Sequence, residues 1–267
     1  MISIVTATFN AAKVIDRNLS AMSQQRAKFE HIIQDGESTD YTQKAVEKYQ
    51  SDYDVKFYKE PDNGIYDAIS KGMAKANGDI LGWLGADDYY LPWTLSTVES
   101  VFAQFPEIDW ITGIPAQGFD EGRLTWTASL APVYLRTCIK NGWHKPGCLG
   151  FLEQECIFWR RSLWEKVCGG DIIRQYRHMG EYHLWKAFAN HARLHTVGTP
   201  LAVFSVSPQQ NSAKNYHLVM REIDPKTKFM GRNPSFIGTL FNRSVSILSF
   251  RKVLRPGFGF RASNLLN

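Results

Sequence analysis

The sequence lacks the signatures of several common protein classes. Its 267 residues contain four cysteines, none in a C-x-x-C pair. This argues against a structural zinc site or a disulfide scaffold and favours buried free thiols in a reducing compartment. No apolar run approaches the roughly 18 residues that span a bilayer, and the first residues lack the basic segment of a secretory signal. We therefore expect a cytoplasmic protein, either soluble or peripheral on the inner face of a membrane.

Two phosphate-binding motifs are also missing. No G-x-G-x-x-G follows the first apolar run, residues 2–9, which argues against a dinucleotide cradle. No G-x-x-x-x-G-K-[ST] occurs in the chain, which argues against a P-loop. If this protein binds a diphosphate, something other than a glycine-rich loop must therefore neutralise its negative charge.

A net positive charge is found only at the C-terminal end. The formal net charge is +5, yet the segment from Arg221 onward carries nine Lys/Arg against only Glu222 and Asp224. The same segment is rich in phenylalanine, leucine and isoleucine. Basic and apolar residues interleaved in this way suit an anionic membrane surface, and a tail that packs on its own domain is the alternative. Nothing in it resembles a nucleic-acid recognition motif, so we expect no nucleic-acid partner.

What the sequence does contain is a regular alternation over its first ninety residues. Apolar runs at 2–9, 31–34, 55–58 and 80–84 predict strands, and the segments between them predict helices. This β-α-β-α-β-α-β order predicts an α/β fold with a mainly parallel central sheet and helices on both faces. In such sheets, ligands bind beyond the carboxyl ends of the strands.

Polar residues follow each predicted strand, and the pair Asp87 and Asp88 follows the fourth. Carboxylate oxygens suit Mg²⁺ and Mn²⁺, which commonly bridge one or two carboxylates to phosphate oxygens. We therefore predict a Mn²⁺ or Mg²⁺ site at Asp87 and Asp88, which would neutralise a bound diphosphate.

Four segments together resemble glycosyltransferase family 2, whose members have the GT-A fold. They are SIVTATFN at 3–10, IIQDGESTD at 32–40, DNGIYDA at 62–68 and GDILGWLGADD at 78–88. The resemblance implies a Rossmann-like GT-A domain over 1–215, with a nucleotide-sugar half at 1–110 and an acceptor half at 111–215. A basic, apolar-rich extension would then occupy 216–267.

The resemblance also implies a donor site at the strand ends. Its predicted residues are Thr8, Phe9, Asn10, Asp35, Asp67 and Asp87. Thr8 and Phe9 would line the base pocket, with the end of a core strand as the alternative. Asp35 would hydrogen-bond the nucleobase, or alternatively the ribose. Asp88 would hold the metal with help from Asp87, since Ala86 stands at the first position of the family's D-x-D. For Asp67 an alternative stays open, namely an i, i+4 ion pair with Lys71.

A second resemblance concerns the catalytic base. The segment Gly180-Glu181-Tyr182-His183-Leu184-Trp185 is similar to the family helix that begins with an acidic residue. Aligned on Leu184-Trp185, Glu181 falls on the family's catalytic Asp and would act as general base. The alternative is that Glu181 only stabilises the start of its helix, where a negative charge is favoured.

The resemblance thus implies an inverting, metal-dependent glycosyltransferase. It would move a sugar from a nucleoside diphosphate sugar, most simply a UDP-sugar, to a saccharide or lipid-linked saccharide in surface polysaccharide synthesis. Two alternatives stay open: a non-catalytic nucleotide-binding or scaffold protein on the same fold, and a sugar nucleotidyltransferase. The second is disfavoured because the loop after the first strand offers one lysine, Lys13. We expect Trp83, Trp93, Trp110 and Trp126 to belong to the core.

Overall fold

The computed structural model describes residues 1–118, 124–146, 148–207 and 216–223, together with the backbone of 253–254. The strands are β1 (Ile2–Thr8), β2 (Phe29–Asp35), β3 (Val55–Lys59), β4 (Ile80–Trp83), β5 (Tyr89–Tyr90), β6 (Trp110–Thr112), β7 (Ala116–Gly118), β8 (Leu124–Thr127), β9 (Phe158–Arg160), β10 (Leu194–Val197), β11 (Ala202–Ser205) and β12 (Val253–Leu254). The helices are α1 (Ile15–Ser23), α2 (Thr42–Glu47), α3 (Ile65–Lys75), α4 (Thr94–Gln104), α5 (Arg136–Lys140), α6 (Arg161–Lys166), α7 (Gly169–Ile173), α8 (Gly180–His191) and α9 (Tyr216–Glu222), with a 3-10 turn at Gln154–Cys156.

The main sheet confirms the predicted α/β architecture. Its eight strands run in the order β12-β10-β6-β9-β4-β1-β2-β3. β1 pairs in parallel with β2 and with β4, and β2 pairs in parallel with β3. The sequence pattern did not indicate the one exception, β9, which runs antiparallel between β4 and β6. Because of this reversal, β9 begins at the edge of the sheet where β4 ends.

Helices cover both faces of the sheet, as predicted, because the strands are apolar on both sides. Val5 and Leu81 point to one face, where they join a core cluster with residues of α3, α6 and α8. Ile4 and Ile80, one position earlier on the same strands, point to the other face, where they pack with residues of α4. Such strands are typical of the centre of a parallel sheet.

A second sheet lies across the end of β4. Its four strands have the order β5-β11-β7-β8, and β5 begins directly after Asp88. β11 pairs antiparallel with β5, with Val203 opposite Tyr89. This pairing brings the last residue of β11, Ser205, from more than a hundred positions away to the end of β4.

Two tryptophans and one cysteine are exposed, although they were expected to be buried. Trp83 and Trp110 are buried as expected, but Trp93 and Trp126 are 45% and 49% exposed and do not belong to the core. All four cysteines are free as predicted, yet Cys168 is exposed rather than buried.

The C-terminal extension lies mostly outside the described residues, and so does its predicted membrane contact. Two parts of it are described. Helix α9 packs on α8, and β12 pairs in parallel with β10 at the edge of the main sheet, with Val253 opposite Thr196. No helix in the described part of the chain is long and apolar enough to cross a bilayer.

Candidate active site

A tight turn places the two adjacent aspartates at the end of β4. The Asp88 backbone N–H donates to the Gly85 carbonyl at 3.1 Å. A Cβ atom at position 85 would lie 2.5 Å from Asp88 Oδ2 and 3.1 Å from Asp87 Oδ1. Both carboxylates therefore fold back over Gly85, and a larger residue there would have to push the buried Asp88 carboxylate aside. We refer to Gly85–Asp88 below as the acidic turn.

β11 fixes the acidic turn from the other side. The Ser205 backbone N–H donates to Asp88 Oδ1 at 2.8 Å, and the Ser205 hydroxyl donates to the Asp87 carbonyl at 2.5 Å. Asp88 is only 3% exposed. Ser205 could not be predicted as a site residue, because nothing in the local pattern of β11 indicates that this strand pairs with β5.

Several buried carboxyl groups interact with one another around the acidic turn. Burial raises the pKa of Asp88 well above its usual range, and the charges of Asp87 and Glu153 add to the shift against the opposing Ser205 N–H. Burial likewise raises the pKa of Glu153 to about 7. Burial, with the charges of Glu153 and Asp88, holds the pKa of Glu155 well above its usual value. A cation would stabilise the ionised form of such a group of carboxylates.

Glu153 and Glu155 also lie near the acidic turn, although no sequence motif indicates this. They lie at the 3-10 turn before β9, and the antiparallel direction of β9 brings that turn to the end of β4. Within the described chain, Glu155 Oε1 and the hydroxyl of Tyr90 are buried without a hydrogen-bond partner. No three His, Cys, Asp or Glu side chains in this described part converge as ligands of one metal ion.

The ends of β1 and β2 form a connected polar network. Thr8 and Asp35 are register partners, and the Thr8 hydroxyl donates to Asp35 Oδ2 at 2.7 Å. Ser38 donates its backbone N–H to Asp35 Oδ1 at 2.7 Å and its hydroxyl to Asp35 Oδ2 at 2.6 Å. Asp35 is completely buried. It therefore organises the edge of the sheet, and its predicted contact with a nucleobase stays a prediction.

The two residues after β1 face outward. Phe9 is 67% exposed, so it is not simply the end of a core strand. Asn10 adopts a left-handed backbone conformation, with φ of 52°, which asparagine tolerates better than most residues. Its side-chain oxygen accepts from the Thr39 N–H at 3.0 Å, and its own N–H donates to Ser38 Oγ at 2.7 Å. These hydrogen bonds join the loop after β1 to the loop after β2, next to the exposed ring of Phe9.

Asp67 forms the ion pair that the sequence analysis held open as an alternative. Its Oδ2 lies 3.0 Å from Lys71 Nζ, one helical turn further along α3, and accepts from the Asn63 N–H at 3.0 Å. Burial alone would raise the pKa of Asp67, but these two contacts outweigh it and lower the pKa. The predicted contact of Asp67 with the donor stays a prediction.

Glu181 is the second residue of α8 and is half-buried. The Tyr66 hydroxyl, from the first turn of α3, donates to Glu181 Oε2. Burial raises the pKa of Glu181 to about 7, with the Tyr66 hydrogen bond opposing this shift and the charge of Glu222 adding to it. A Cβ atom at Gly180 would lie 2.8 Å from Tyr66 Cδ1, so glycine is needed for α8 to approach α3 this closely.

Packing of tryptophan links Glu181 to the acidic turn. Trp185 lies one helical turn after Glu181 and so on the same side of α8. Its ring stacks on Trp83, the last residue of β4, with centroids 5.6 Å apart and planes at 19°. The acidic turn begins two residues after Trp83. The start of α8 is therefore held at the same edge of the sheet as Asp87 and Asp88.

A comparison with known families decides which group this chain is part of. The family model described as Glycosyl transferase family 2 matches residues 3–165, well over half of the chain. The chain belongs to glycosyltransferase family 2. The matched residues include the acidic turn and Glu155, and they end before α8 and Glu181.

Individual relatives of this family-2 chain are also named as glycosyltransferases. A PGL/p-HBAD biosynthesis glycosyltransferase of Mycobacterium bovis is 32% identical over 117 residues, covering 42% of this chain and 46% of the relative. An uncharacterized glycosyltransferase of Nostoc sp. is 28% identical over 185 residues, covering 65% of this chain and 55% of the relative. The chain therefore matches about half the length of each.

Solved structures support the GT-A fold of the family-2 domain. S. aureus TarS 1-349 in complex with UDP-GlcNAc superposes with a TM-score of 0.64 at 18% identity, covering 83% of this chain and 65% of TarS. A mannosyltransferase from Pyrobaculum calidifontis in complex with GDP-Man and Mn²⁺ gives 0.56 at 17% identity, covering 94% of this chain and 70% of that one. At these identities the likeness concerns the fold alone.

Proposed function

We propose that this family-2 domain transfers a sugar from a nucleoside diphosphate sugar to a hydroxyl group of a saccharide or lipid-linked saccharide, with inversion at the anomeric carbon. The observation that carries the proposal is the arrangement at one edge of the sheet. The acidic turn suits a diphosphate with its cation, and a half-buried carboxyl with a pKa of about 7 stands at the same edge. A scaffold or a purely structural domain has no need of the second of these features, the Glu181 carboxyl with its raised pKa.

The nucleotide would lie across the carboxyl ends of β1 and β2. The exposed ring of Phe9 offers a face on which a base can stack. Thr8, Asn10 and Asp35 supply the polar edge beside it, already connected through Ser38. UDP is the first nucleotide to test, since S. aureus TarS was solved with UDP-GlcNAc. GDP is the second, since the Pyrobaculum mannosyltransferase was solved with GDP-Man.

Asp88, assisted by Asp87, would hold Mn²⁺ or Mg²⁺. The residues fit such an ion because a buried carboxylate with a raised pKa, next to a second carboxylate, is stabilised by a cation. One or two carboxylates suffice when phosphate oxygens complete the coordination. When bound, the cation would offset the negative charge that builds on the leaving diphosphate. Asp87, which is less buried, would also reach ribose or sugar hydroxyls.

Glu181 would act as the general base. Its carboxylate would take the proton of the acceptor hydroxyl while that oxygen forms a bond to the anomeric carbon. The bond from that carbon to the diphosphate breaks on the opposite face, and the electron pair leaves with the diphosphate. One displacement inverts the configuration and requires no protein nucleophile. A base with a pKa near 7 is suited to this step at neutral pH.

The acceptor and pathway rest on analogy. The mycobacterial relatives are named for PGL/p-HBAD biosynthesis, and surface polysaccharide or glycolipid synthesis is the corresponding proposal for this chain. Its basic, apolar-rich tail would bring the domain to the inner face of a membrane, where lipid-linked acceptors are found.

The proposal is tested by measuring nucleoside diphosphate release from UDP-, GDP- and dTDP-sugars with Mn²⁺ and a set of simple glycosides. Proton NMR then gives the configuration of the product. We expect release with one nucleotide class and a product of inverted configuration. Retention of configuration would contradict the single displacement. A further outcome is that the protein binds a nucleotide but releases no nucleoside diphosphate from any donor, not even by slow transfer of the sugar to water. That result would favour the alternative of a non-catalytic nucleotide-binding protein.

A further inference from the structure

Helix α9 docks on the start of α8 through a small apolar cluster. Val219 and Ile223, which lie one turn apart, pack with Met179 and Tyr182, and all four side chains are buried. Met179 directly precedes α8, and Tyr182 directly follows Glu181 in the helix. The region matched by the family model ends at residue 165, so both helices lie beyond it.

The carboxylate of Glu222, the last residue of α9, contacts the segment that precedes α8. It accepts three successive backbone N–H groups, from Arg177 at 3.0 Å, His178 at 2.8 Å and Met179 at 3.0 Å. The Glu222 carbonyl lies 2.9 Å from His183 Nε2. One residue of α9 thus holds both the segment that enters α8 and the first turn of that helix.

Such an arrangement is electrostatically favourable. Backbone N–H groups before and within the first turn of a helix have no intrahelical acceptor, and the helix dipole favours a negative charge there. Hydrogen bonds to an ionised carboxylate are roughly twice as strong as neutral ones. Glu222 therefore restricts the backbone two to four residues before Glu181.

We propose that Glu222 is a positioning residue for Glu181, and that the C-terminal segment through α9 is thereby part of the catalytic domain. The proposal rests on the proposed function of Glu181 as the base. A base must lie within hydrogen-bond reach of the proton that it takes, and a displacement of about 1 Å costs on the order of 100-fold in rate. Fixing the start of α8 from α9 restricts that displacement.

The charge of Glu222 has a second effect, which gives the proposal its own signature. Two titratable groups act on the Glu181 carboxyl from neighbouring helices: Tyr66 from α3 lowers its pKa by donating a hydrogen bond, and Glu222 from α9 raises it. Glu222→Gln removes the negative charge and turns an amide N–H toward the backbone donors. We expect the acidic limb of the kcat profile to move to lower pH while the plateau falls.

The test compares wild type, Glu222→Gln and Glu222→Asp with Glu99→Gln as the matched control, since Glu99 is exposed on α4. We expect kcat of Glu222→Gln to fall roughly 10- to 100-fold, as a misplaced base predicts, with little change in the KM of the donor. Glu222→Asp keeps the charge, so its acidic limb should stay near that of wild type. Glu99→Gln should match wild type throughout.

Hydrogen exchange of the amides at 177–181 provides a readout that needs no turnover. We expect these amides to exchange faster in Glu222→Gln than in wild type, while the amides of β1 stay protected. If Glu222→Gln had the same kcat, the same acidic limb and the same amide exchange as wild type, the proposal would be overturned. The proposed function of the domain would not be affected by that result. Faster exchange in a protein that never turns over would instead support the docking of α9 and refute the proposed function. If Glu222→Gln does not fold, the same amides are measured in Glu222→Asp. Its shorter side chain should also make them exchange faster than in wild type, and unchanged exchange would overturn the proposal.

Discussion

Replacing Glu181 by glutamine should stabilise the protein and, at the same time, slow turnover strongly. Burial raises the pKa of Glu181 from its ordinary 4.5 to about 7. The folded protein therefore keeps this proton at pH values where the unfolded chain has lost it, and folding stability falls as the pH rises from about 4.5 to 7. Above pH 7 the cost of the charged form reaches at most about 3 kcal/mol. Glutamine has no charge and so avoids this cost.

The magnitude is large enough to measure. For a chain of this size, each kcal/mol shifts Tm by about 2–4 °C. We expect Tm of Glu181→Gln to exceed that of wild type by several degrees at pH 8. Near pH 4.5 the difference should become small, because Glu181 is then neutral in the folded protein and only half ionised in the unfolded chain. Glutamine can still accept the hydrogen bond of Tyr66, so the packing of α3 on α8 is kept.

Turnover should change in the opposite direction. A general base contributes typically 10²- to 10⁴-fold, or roughly 3–5 kcal/mol of barrier. We expect kcat of Glu181→Gln to fall by that factor while the affinity for nucleotide stays the same. In wild type, kcat should fall below pH 7 with the titration of one group.

Thermal unfolding at pH 4.5 and pH 8, combined with a single-turnover assay, tests this reasoning. If Glu181 merely stabilised the helix dipole, its replacement would lower stability above pH 5 by about 0.3–1 kcal/mol. A lower Tm at pH 8 with full turnover would therefore refute both the assignment of the base and the cause of its raised pKa.

Three further changes have defined outcomes. Asp88→Asn should remove the Mn²⁺-dependent part of nucleotide binding measured by calorimetry, whereas Asp79→Asn, at an exposed aspartate outside the site, should not. Tyr66→Phe removes the hydrogen bond that lowers the pKa of Glu181, so the acidic limb of the kcat profile should move to higher pH; an unmoved limb would contradict that contact. Asp35→Asn places an amide N–H among three donors and should cost about 1–3 kcal/mol in urea unfolding; an unchanged midpoint would contradict the network.

Much of the nucleotide-sugar half could be predicted from the sequence, because its signals are local. An apolar run followed by a polar loop marks each of β1 to β4, and parallel strands must end at the same edge. Asp87 and Asp88 therefore had to lie beside the ends of β1 and β2. Asp67 shows the limit of this reasoning, since its i, i+4 ion pair with Lys71 was visible in the sequence as well and is the contact that it makes.

The rest of the site depends on pairings that no local pattern encodes. β9 has three residues, too few for its direction to be read from periodicity, yet its antiparallel course places Glu155 near Asp88. Ser205 reaches the acidic turn only because β11 pairs with β5. Glu222 reaches α8 through side-chain packing between two helices whose sequence separation gives no indication of contact.

The proposed function requires that the acidic turn and the ends of β1 and β2 bind a nucleoside diphosphate together with a divalent cation. The most direct measurement is the thermal shift of the wild-type protein with UDP, GDP, CDP and dTDP, each with and without Mn²⁺. Binding to the folded state contributes about 2.7 kcal/mol at one hundred times Kd. We expect Tm to rise with one of these nucleotides, and we expect the rise to be larger with Mn²⁺ and smaller in Asp88→Asn. The proposed site would be contradicted if no nucleotide raised Tm. It would also be contradicted if the rise in Tm were the same with and without Mn²⁺ and the same in wild type and Asp88→Asn.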